Sequence, residues 1–326
     1  MPELTETDAS ASEHTDLTGA RTRAPARSDS LYLIVLYGVS ALFALLCVGF
    51  LFSVIAPSIP AWKASGLSII FGTTWDPASQ TYGAATLILG TIETTAIALF
   101  FAVPIGIGTA LAIVHVLPQR IKIPVSSAVE ILAAVPSVVY GMFGLVILSP
   151  IFQAHVEPWL ASLTGGHWPF QANQEGLSIL LAGVVLFVMV LPTIVALSRD
   201  VIAVVPRDQI EGALSVGASK WQMLFRVVLP EARSGIVGAC TLATARALGE
   251  TIAVAMVIGQ NPKLANSLFS PGATLASTIA IQFQGSTAQD LTYLAALAAI
   301  LMAITVTVNW IGRRIISHAG VQGASL

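Results

Sequence analysis

The sequence predicts an all-α, polytopic membrane protein with about six transmembrane helices and one helical hairpin between two of them. Of its 326 residues, 55% are hydrophobic and only 10% are charged, and the mean hydropathy is +0.82. About a quarter of the residues are charged in a typical soluble domain, so this composition indicates a chain that lies mainly in lipid. Long apolar runs and an uneven distribution of Lys and Arg support the same prediction.

Charge, cysteine content and motifs narrow the functional classes. The net charge of −2 gives no indication of a nucleic-acid partner. Cys47 and Cys240 both lie in apolar runs, so they are predicted to be packing residues rather than a disulfide. The sequence contains neither a G-x-x-x-x-G-K-[ST] phosphate loop nor a G-x-S-x-G elbow, and no spacing favours a metal site. We therefore expect a chain that is not an enzyme and binds no cofactor or metal itself.

The apolar runs define the spans. Residues 1–30 are rich in Thr, Ser, Ala and acidic residues, which predicts a disordered tail. The run that follows is longer than the apolar region of about 7–15 residues in a cleaved signal peptide, so it is predicted to be a retained helix. About 20 apolar residues cross the hydrocarbon core. This rule predicts a membrane domain over 31–316 and a short tail after it, with spans near 31–55, 84–117, 125–152, 177–198, 234–259 and 290–312.

Two of these runs are irregular. The second is too long for a simple crossing and is expected to tilt or to bend around the PIGIG stretch at 104–108. The third contains Pro136 and Pro150, which predict a kink or a break.

Basic residues predict the orientation of the spans. If the N-terminus is cytoplasmic, the external segments 56–83, 153–176 and 260–289 contain only Lys63 and Lys263. Lys and Arg are retained on the cytoplasmic side, so both termini are predicted to be cytoplasmic. The cytoplasmic segments then contain Arg21, Arg23, Arg27, Arg120, Lys122, Arg199, Arg207, Lys220, Arg226, Arg233, Arg313 and Arg314.

The longest cytoplasmic segment, residues 199–233, has the pattern of two helices joined by a tight turn. Pro206 suits the first turn of a helix and Gly217 suits a helix end. Ser219 and Gln222 have the spacing of a capping box. An apolar stripe at helical spacing follows, and Pro230 is expected to close the unit. The stripe consists of Trp221, Leu224, Phe225 and Val228. Such a hairpin either rests on lipid headgroups or binds a cytosolic partner.

This hairpin resembles the signature segment of ABC importer permeases. The stretch EGALSVGASKWQMLFRVVLP, residues 211–230, follows their pattern of E-A-A, three residues, G, nine residues and I-x-L-P. Val227 replaces the Ile, and Gly212 departs at the second position. In that family the segment is a coupling helix that lies in a groove of the ATPase subunit. The resemblance therefore implies an ATPase-coupling role for Glu211, Ala213, Gly217, Trp221, Leu229 and Pro230.

Four further stretches resemble the phosphate importer permeases of the PstC family. They are WDPASQTYGA (75–84), EILAAVPSVVYGMFG (130–144), ARALGETIAVAMVIG (245–259) and SLFSPGATLASTIA (267–280). The third is the most discriminating, because the companion permease PstA continues differently after its G-E-T. The IQFQGS stretch at 281–286 departs from the family, which often has an acidic residue there.

The resemblance implies the partners of the chain. They are a PstA-like homologous permease, two PstB-like ATPase subunits that carry ATP and Mg, a PstS-like external phosphate-binding protein, phosphate and membrane lipid. It also implies a location in the bacterial inner membrane. Three alternatives remain at this point: a permease for another oxyanion such as sulfate or molybdate, an ion-coupled secondary transporter, and a membrane component of a phosphate-sensing circuit.

Two charges in the fifth predicted span are candidate pathway residues. An arginine at the centre of a span costs about 2.5–3.5 kcal/mol on insertion scales, so it must face protein or water. Arg246 and Glu250 are four residues apart and can pair on one helix face. The pair either aids packing alone or presents a guanidinium fork to phosphate oxygens. Glu93 and Glu130, near the ends of other spans, are possible further pathway residues.

Overall fold

The computed structural model describes residues 27–171 and 176–321. The chain divides into two compact units, residues 1–52 and 53–326, and the functional features discussed below lie in the second unit. The helices are α1 (Arg27–Ser65), α2 (Ser68–Phe71), α3 (Ala85–Leu111), α4 (Gln119–Ala134), α5 (Ser137–Phe143), α6 (Ser149–Ile151), α7 (Glu157–Leu163), α8 (Ile179–Ala203), α9 (Arg207–Ser215), α10 (Lys220–Met223), α11 (Leu229–Leu248), α12 (Ile252–Val257), α13 (Leu275–Gln282) and α14 (Ala288–Val321). Four π-helical turns extend or join them: Ala112–Val116, Gly144–Leu148, Phe152–Val156 and Leu224–Val228.

The predicted all-α membrane fold is confirmed, and the number of simple spans is corrected. Within the described residues, five helices are long and apolar enough to cross a membrane: Tyr32–Ser65, Ala85–Val116, Ser137–Leu163, Ile179–Ala203 and Ala288–Ser317. The run at 234–259 is not one helix, because α11 ends at Leu248 and α12 begins at Ile252. Gly249 is a poor helix former, and Thr251 has φ −115°. The apolar run is therefore interrupted at residues 249–251.

The third predicted span is displaced. Its N-terminal part belongs to α4, which ends at Ala134. Val135 takes an extended conformation with ψ 131° because the ring of Pro136 disfavours helical geometry in the preceding residue. The predicted break at Pro136 is therefore present, and the spanning helix follows it over Ser137–Leu163. Pro150 does not interrupt that helix.

Proline explains each π-helical turn. The four turns end at Val116, Leu148, Val156 and Val228, and in every case a proline stands two residues later. A proline ring collides with the carbonyl four residues before it and lacks the donor for the normal helical bond. A wider turn just before the proline relieves this collision, which is how a π-bulge accommodates a helix irregularity. The PIGIG stretch has no such turn, and α3 runs continuously through Pro104.

The core is centred on close packing between α3 and α8. A Cβ at Gly106 would lie 2.7 Å from the Ile194 side chain, and one at Gly183 would lie 2.6 Å from Ile97. These glycines let the two helices approach closely along their length. The buried cluster around this pair also contains Ala243 and residues of α5 and α12, so it supports the broken helix from one side.

The predicted external segments are largely folded. In the described part of the chain the sheet is a two-stranded antiparallel pair, β1 (Trp75–Asp76) and β2 (Thr81–Tyr82). Trp75 donates to Gln282 of α13 at 2.8 Å, and Tyr82 donates to Asp290 of α14 at 2.5 Å. Burial and that hydrogen bond raise the pKa of Tyr82 to about 12, so the phenol stays protonated and remains a donor.

Two helices extend past the predicted limits of the membrane domain. α1 begins at Arg27 rather than at residue 31. The rest of the predicted N-terminal tail lies outside the described residues. α14 continues to Val321, beyond the predicted limit at 316, and residues 322–326 also lie outside the described part.

Candidate functional site

The interruption between α11 and α12 places two charged side chains at two helix ends. Arg246 lies in the last turn of the 20-residue helix α11. Glu250 lies in the interruption, and its Oε1 accepts from the backbone N–H of Ala253 in the first turn of α12 at 3.4 Å. A cation at a helix C-terminus and a carboxylate at a helix N-terminus are each stabilised by about 0.3–1 kcal/mol. The broken helix therefore provides favourable surroundings for both charges.

The expected pairing of these two side chains is not formed. Arg246 and Glu250 both belong to the described part of the chain, and no ion pair joins them. The i, i+4 argument fails because Glu250 has left the helix, so the two residues no longer share one helix face. The guanidinium is exposed and the carboxyl is half-buried in the isolated chain. A charged side chain within a bilayer must contact protein or water. The surface that carries Arg246 and Glu250 therefore does not contact lipid.

Helix α5 packs against the interruption. A Cβ at Gly141 would lie 3.0 Å from the Ala253 backbone, and one at Gly144 would lie 2.8 Å from the Val257 side chain. These glycines allow α5 and the π-helical turn after it to approach α12. The neighbouring Tyr140 is buried in the same cluster as Ala243 and Ala247 of α11. The position of Tyr140 next to the interruption could not be predicted from sequence periodicity, because it depends on how α5 packs against α11 and α12.

The two other predicted carboxylates are in different places. Glu93 is half-buried on α3, two residues after Thr91, whose hydroxyl accepts from the Leu275 backbone N–H at 3.0 Å. Glu130 is exposed on α4 and forms an ion pair with Arg199 of α8 at 2.9 Å. The structure therefore does not bring either of them together with Arg246. Arg199, which was predicted only as a topology marker, also contacts Asp200.

The hairpin between α8 and α11 has the predicted turn and capping box. Gly217 follows α9 with φ +86°, a left-handed conformation that glycine adopts without steric penalty. The Ser219 hydroxyl accepts from Gln222 N at 3.3 Å, and the Gln222 side chain accepts from Ser219 N at 2.8 Å. Pro230 does not close the unit, because helical structure continues from α10 through the π-helical turn into α11.

The apolar stripe of the hairpin is divided between core and surface. Leu224 and Val228 are buried in a cluster with residues from α3 and α8. Trp221 and Phe225 are exposed, with ring centroids 5.9 Å apart and ring planes inclined by 19°. The buried half fixes the hairpin to the membrane domain, while the exposed half presents two stacked aromatic rings. Of the residues matched to the coupling signature, Ala213 and Leu229 pack against the cluster, and Glu211, Gly217, Trp221 and Pro230 are exposed.

Comparison with known proteins identifies the family. Residues 102–319 match the family described as "Binding-protein-dependent transport system inner membrane component". The phosphate transport system permease protein PstC of Haemophilus influenzae is 40% identical, over 85% of this chain and 91% of the relative. The chain belongs to the PstC family of permeases. A PstC of Xylella fastidiosa is 35% identical over 92% of this chain and 94% of the relative. These relatives are named as transport permeases, which confirms the prediction of a transport subunit.

Solved permease structures share the fold. A chain of the bacterial alginate ABC transporter, solved in complex with an alginate-bound periplasmic protein, is 18% identical with a TM-score of 0.54 and covers 88% of this chain and 98% of that chain. A chain of the inward-facing MetNI methionine ABC transporter is 20% identical with a TM-score of 0.50 and covers 71% and 93%. At these identities the similarity concerns the fold alone.

Proposed function

We propose that this chain is the permease subunit of an ATP-driven importer of inorganic phosphate, in which it forms half of the translocation pathway and binds an ATPase subunit. The observation that carries the proposal is the exposed Arg246 guanidinium at the interruption of a membrane helix. The printed names of relatives at 35–40% identity support phosphate as the substrate.

The chemistry of the interruption suits a tetrahedral oxyanion. A guanidinium offers a planar fork of donors that binds two oxygens of one phosphate. Because Arg246 is not paired with Glu250, its donors are available on an exposed surface. Discontinuous helices with charged or polar ends at mid-membrane depth are used by transporters to bind ions. Glu250, whose carboxylate accepts from the Ala253 backbone N–H at the start of α12, is proposed to line the same pathway without neutralising Arg246.

The hairpin is proposed as the surface for the ATPase. Its exposed stacked rings, Trp221 and Phe225, give an aromatic anchor of the kind that dominates binding energy at interfaces. The ATPase subunit would bind ATP and Mg. A movement of the hairpin would reach α11 directly, because α10 continues through the π-helical turn into α11. The complete importer would contain a PstA-like permease, two PstB-like ATPase subunits and a PstS-like external phosphate-binding protein.

The proposal has two competitors. A sulfate or molybdate permease would use the same guanidinium chemistry, since these anions are also tetrahedral. An ion-coupled secondary transporter would need no ATPase and would use Glu93, Glu130 or Glu250 for the coupling ion. Co-purification separates an ATP-driven importer from the secondary transporter: a tagged chain should retain an ATPase and a second permease in mild detergent. Recovery of an active transporter without any ATPase would contradict the proposal.

The inner-membrane orientation, with both termini cytoplasmic, is tested by cysteine labelling in intact cells. The background replaces Cys47 and Cys240 with alanine. Cysteines at Ala78 and Ser162, both exposed, should react with an impermeant thiol reagent, whereas one at the exposed Ser317 should not. Ser267 lies in the predicted external segment 260–289, but it is only 5% exposed and donates to two backbone carbonyls, so a cysteine there serves as the buried control. Reaction at Ser317 in sealed cells would overturn the topology.

A further inference from the structure

Tyr140 bridges the break between α4 and α5. Its hydroxyl donates to the backbone carbonyl of Leu132, eight residues earlier, at 2.7 Å. Leu132 lies in the last turn of α4, and its carbonyl also accepts from the Val135 backbone N–H at 3.3 Å. The Tyr140 bond is a second bond to this carbonyl, and it spans the extended residues at Val135 and Pro136. It fixes the direction in which α5 leaves the break.

The same tyrosine lies beside the proposed phosphate-binding cation. It is 7% exposed and belongs to the buried cluster that contains Ala243 and Ala247 of α11, which stand on either side of Arg246 in the sequence. The next residue, Gly141, packs against Ala253. The backbone N–H of Ala253 donates to the Glu250 carboxylate at the start of α12. The break between α4 and α5 is thus packed against the interruption between α11 and α12.

Helix α4 lies against α8. None of its residues is buried in the isolated chain. Near its C-terminal end it is attached by the Tyr140 bond and by the ion pair between Glu130 and Arg199. The exposed side chain of Glu130 makes this ion pair a weak attachment. The Tyr140 bond is therefore the better-shielded of the two contacts.

We propose that Tyr140 is a positioning residue for Arg246: by holding the α4–α5 break against the α11–α12 interruption, it sets where the guanidinium stands in the translocation pathway. This inference rests on the proposed role of Arg246. It assigns to Tyr140 no contact with the transported anion. The hydroxyl acts through the geometry of the break, and the aromatic ring packs in the buried cluster beside α11.

The test compares two tyrosines with the same burial. Tyr140→Phe removes the hydroxyl and keeps the ring. Tyr293→Phe is the matched control, because Tyr293 is also 7% exposed and its hydroxyl is hydrogen-bonded to Ser65 at 2.9 Å. The complete importer is reconstituted in liposomes, and the initial rate of labelled phosphate uptake is measured against phosphate concentration. Tyr140→Phe should lower the maximal rate about fivefold, the scale of one lost hydrogen bond, and Tyr293→Phe should not. The apparent KM should stay unchanged, because the external binding protein sets it.

A double-mutant cycle separates positioning from general destabilisation. The cycle combines Tyr140→Phe with Arg246→Lys, which keeps the charge but loses the planar fork. If Tyr140 acts through Arg246, its effect should shrink in the Lys background, since coupled residues are not additive. Equal rate losses for both tyrosine variants, or full additivity in the cycle, would overturn the positioning role. If Arg246→Gln transports normally, the role of Arg246 itself fails; if it is inactive while Tyr140→Phe is normal, only the inference on Tyr140 fails.

Discussion

Replacing Arg246 with glutamine is expected to reduce phosphate uptake by about 10- to 100-fold while the importer still assembles. Glutamine keeps hydrogen-bonding capacity but removes the charge, and a hydrogen bond to a charged group contributes about 1.5–3 kcal/mol. Arg246 is exposed rather than packed in the core, so its loss leaves no cavity. Arg246→Lys should also be impaired because it loses the bidentate fork. The measurement is labelled phosphate uptake, with complex assembly followed by co-purification.

A double variant distinguishes a pathway role from a structural one. Arg246→Gln combined with Glu250→Gln removes both charges from the interruption. If the two charges only stabilise their helix ends, each loss costs about 0.3–1 kcal/mol, and the double variant should still transport. If Arg246 binds phosphate, the double variant should assemble and remain inactive. Arg313→Gln, which removes another exposed guanidinium from α14, is the control and should transport normally. Near wild-type uptake by the double variant would contradict the pathway role.

Replacing Gly217 with valine is expected to weaken binding of the ATPase subunit by about 5- to 150-fold. Gly217 has φ +86°, and a β-branched residue in this left-handed conformation is strained by about 1–3 kcal/mol. A Cβ at this position meets no atom within 4 Å, so the expected defect comes from the backbone and not from a clash. The strain should be relieved by a rearranged turn, which would displace Trp221 from its position. The measurement is ATPase retention during purification of the importer.

The matched control for this variant lies five residues earlier. Gly212 is also exposed, and a Cβ there likewise meets no atom within 4 Å, but its φ is not in the positive range. Gly212→Val should therefore leave ATPase binding intact, because valine is a better helix former than glycine. If Gly217→Val retains the ATPase as well as Gly212→Val does, the hairpin is not the docking surface.

Local rules predicted the hairpin well because its conformation is determined by neighbours in sequence. The left-handed turn at Gly217 and the capping box at Ser219 both follow from residue types within one or two turns. The continuation through Pro230 was missed, although the π-helical turn before it relieves the proline collision. The same relation holds at Pro150, where a break was also expected.

Contacts between distant segments could not be predicted from one sequence. Hydropathy alone predicts a single span over 234–259. The three residues 249–251 are too few to lower the mean hydropathy of a stretch of that length. Whether Arg246 and Glu250 meet depends on that interruption rather than on their spacing. The ion pair between Glu130 and Arg199 joins residues 69 apart in the chain, so only the packing of α4 on α8 brings them together. Such contacts depend on tertiary structure rather than on a local pattern.

The most direct test of the central claim is phosphate accumulation by the purified importer in liposomes, with ATP enclosed on the side of the ATPase and the binding protein on the other. The account predicts that labelled phosphate accumulates only when ATP is present, that sulfate and molybdate do not compete, and that Arg246→Gln in this chain slows the accumulation by about 10- to 100-fold. Accumulation that is driven by an ion gradient without ATP, or that is suppressed by an equal concentration of sulfate or molybdate, would contradict it.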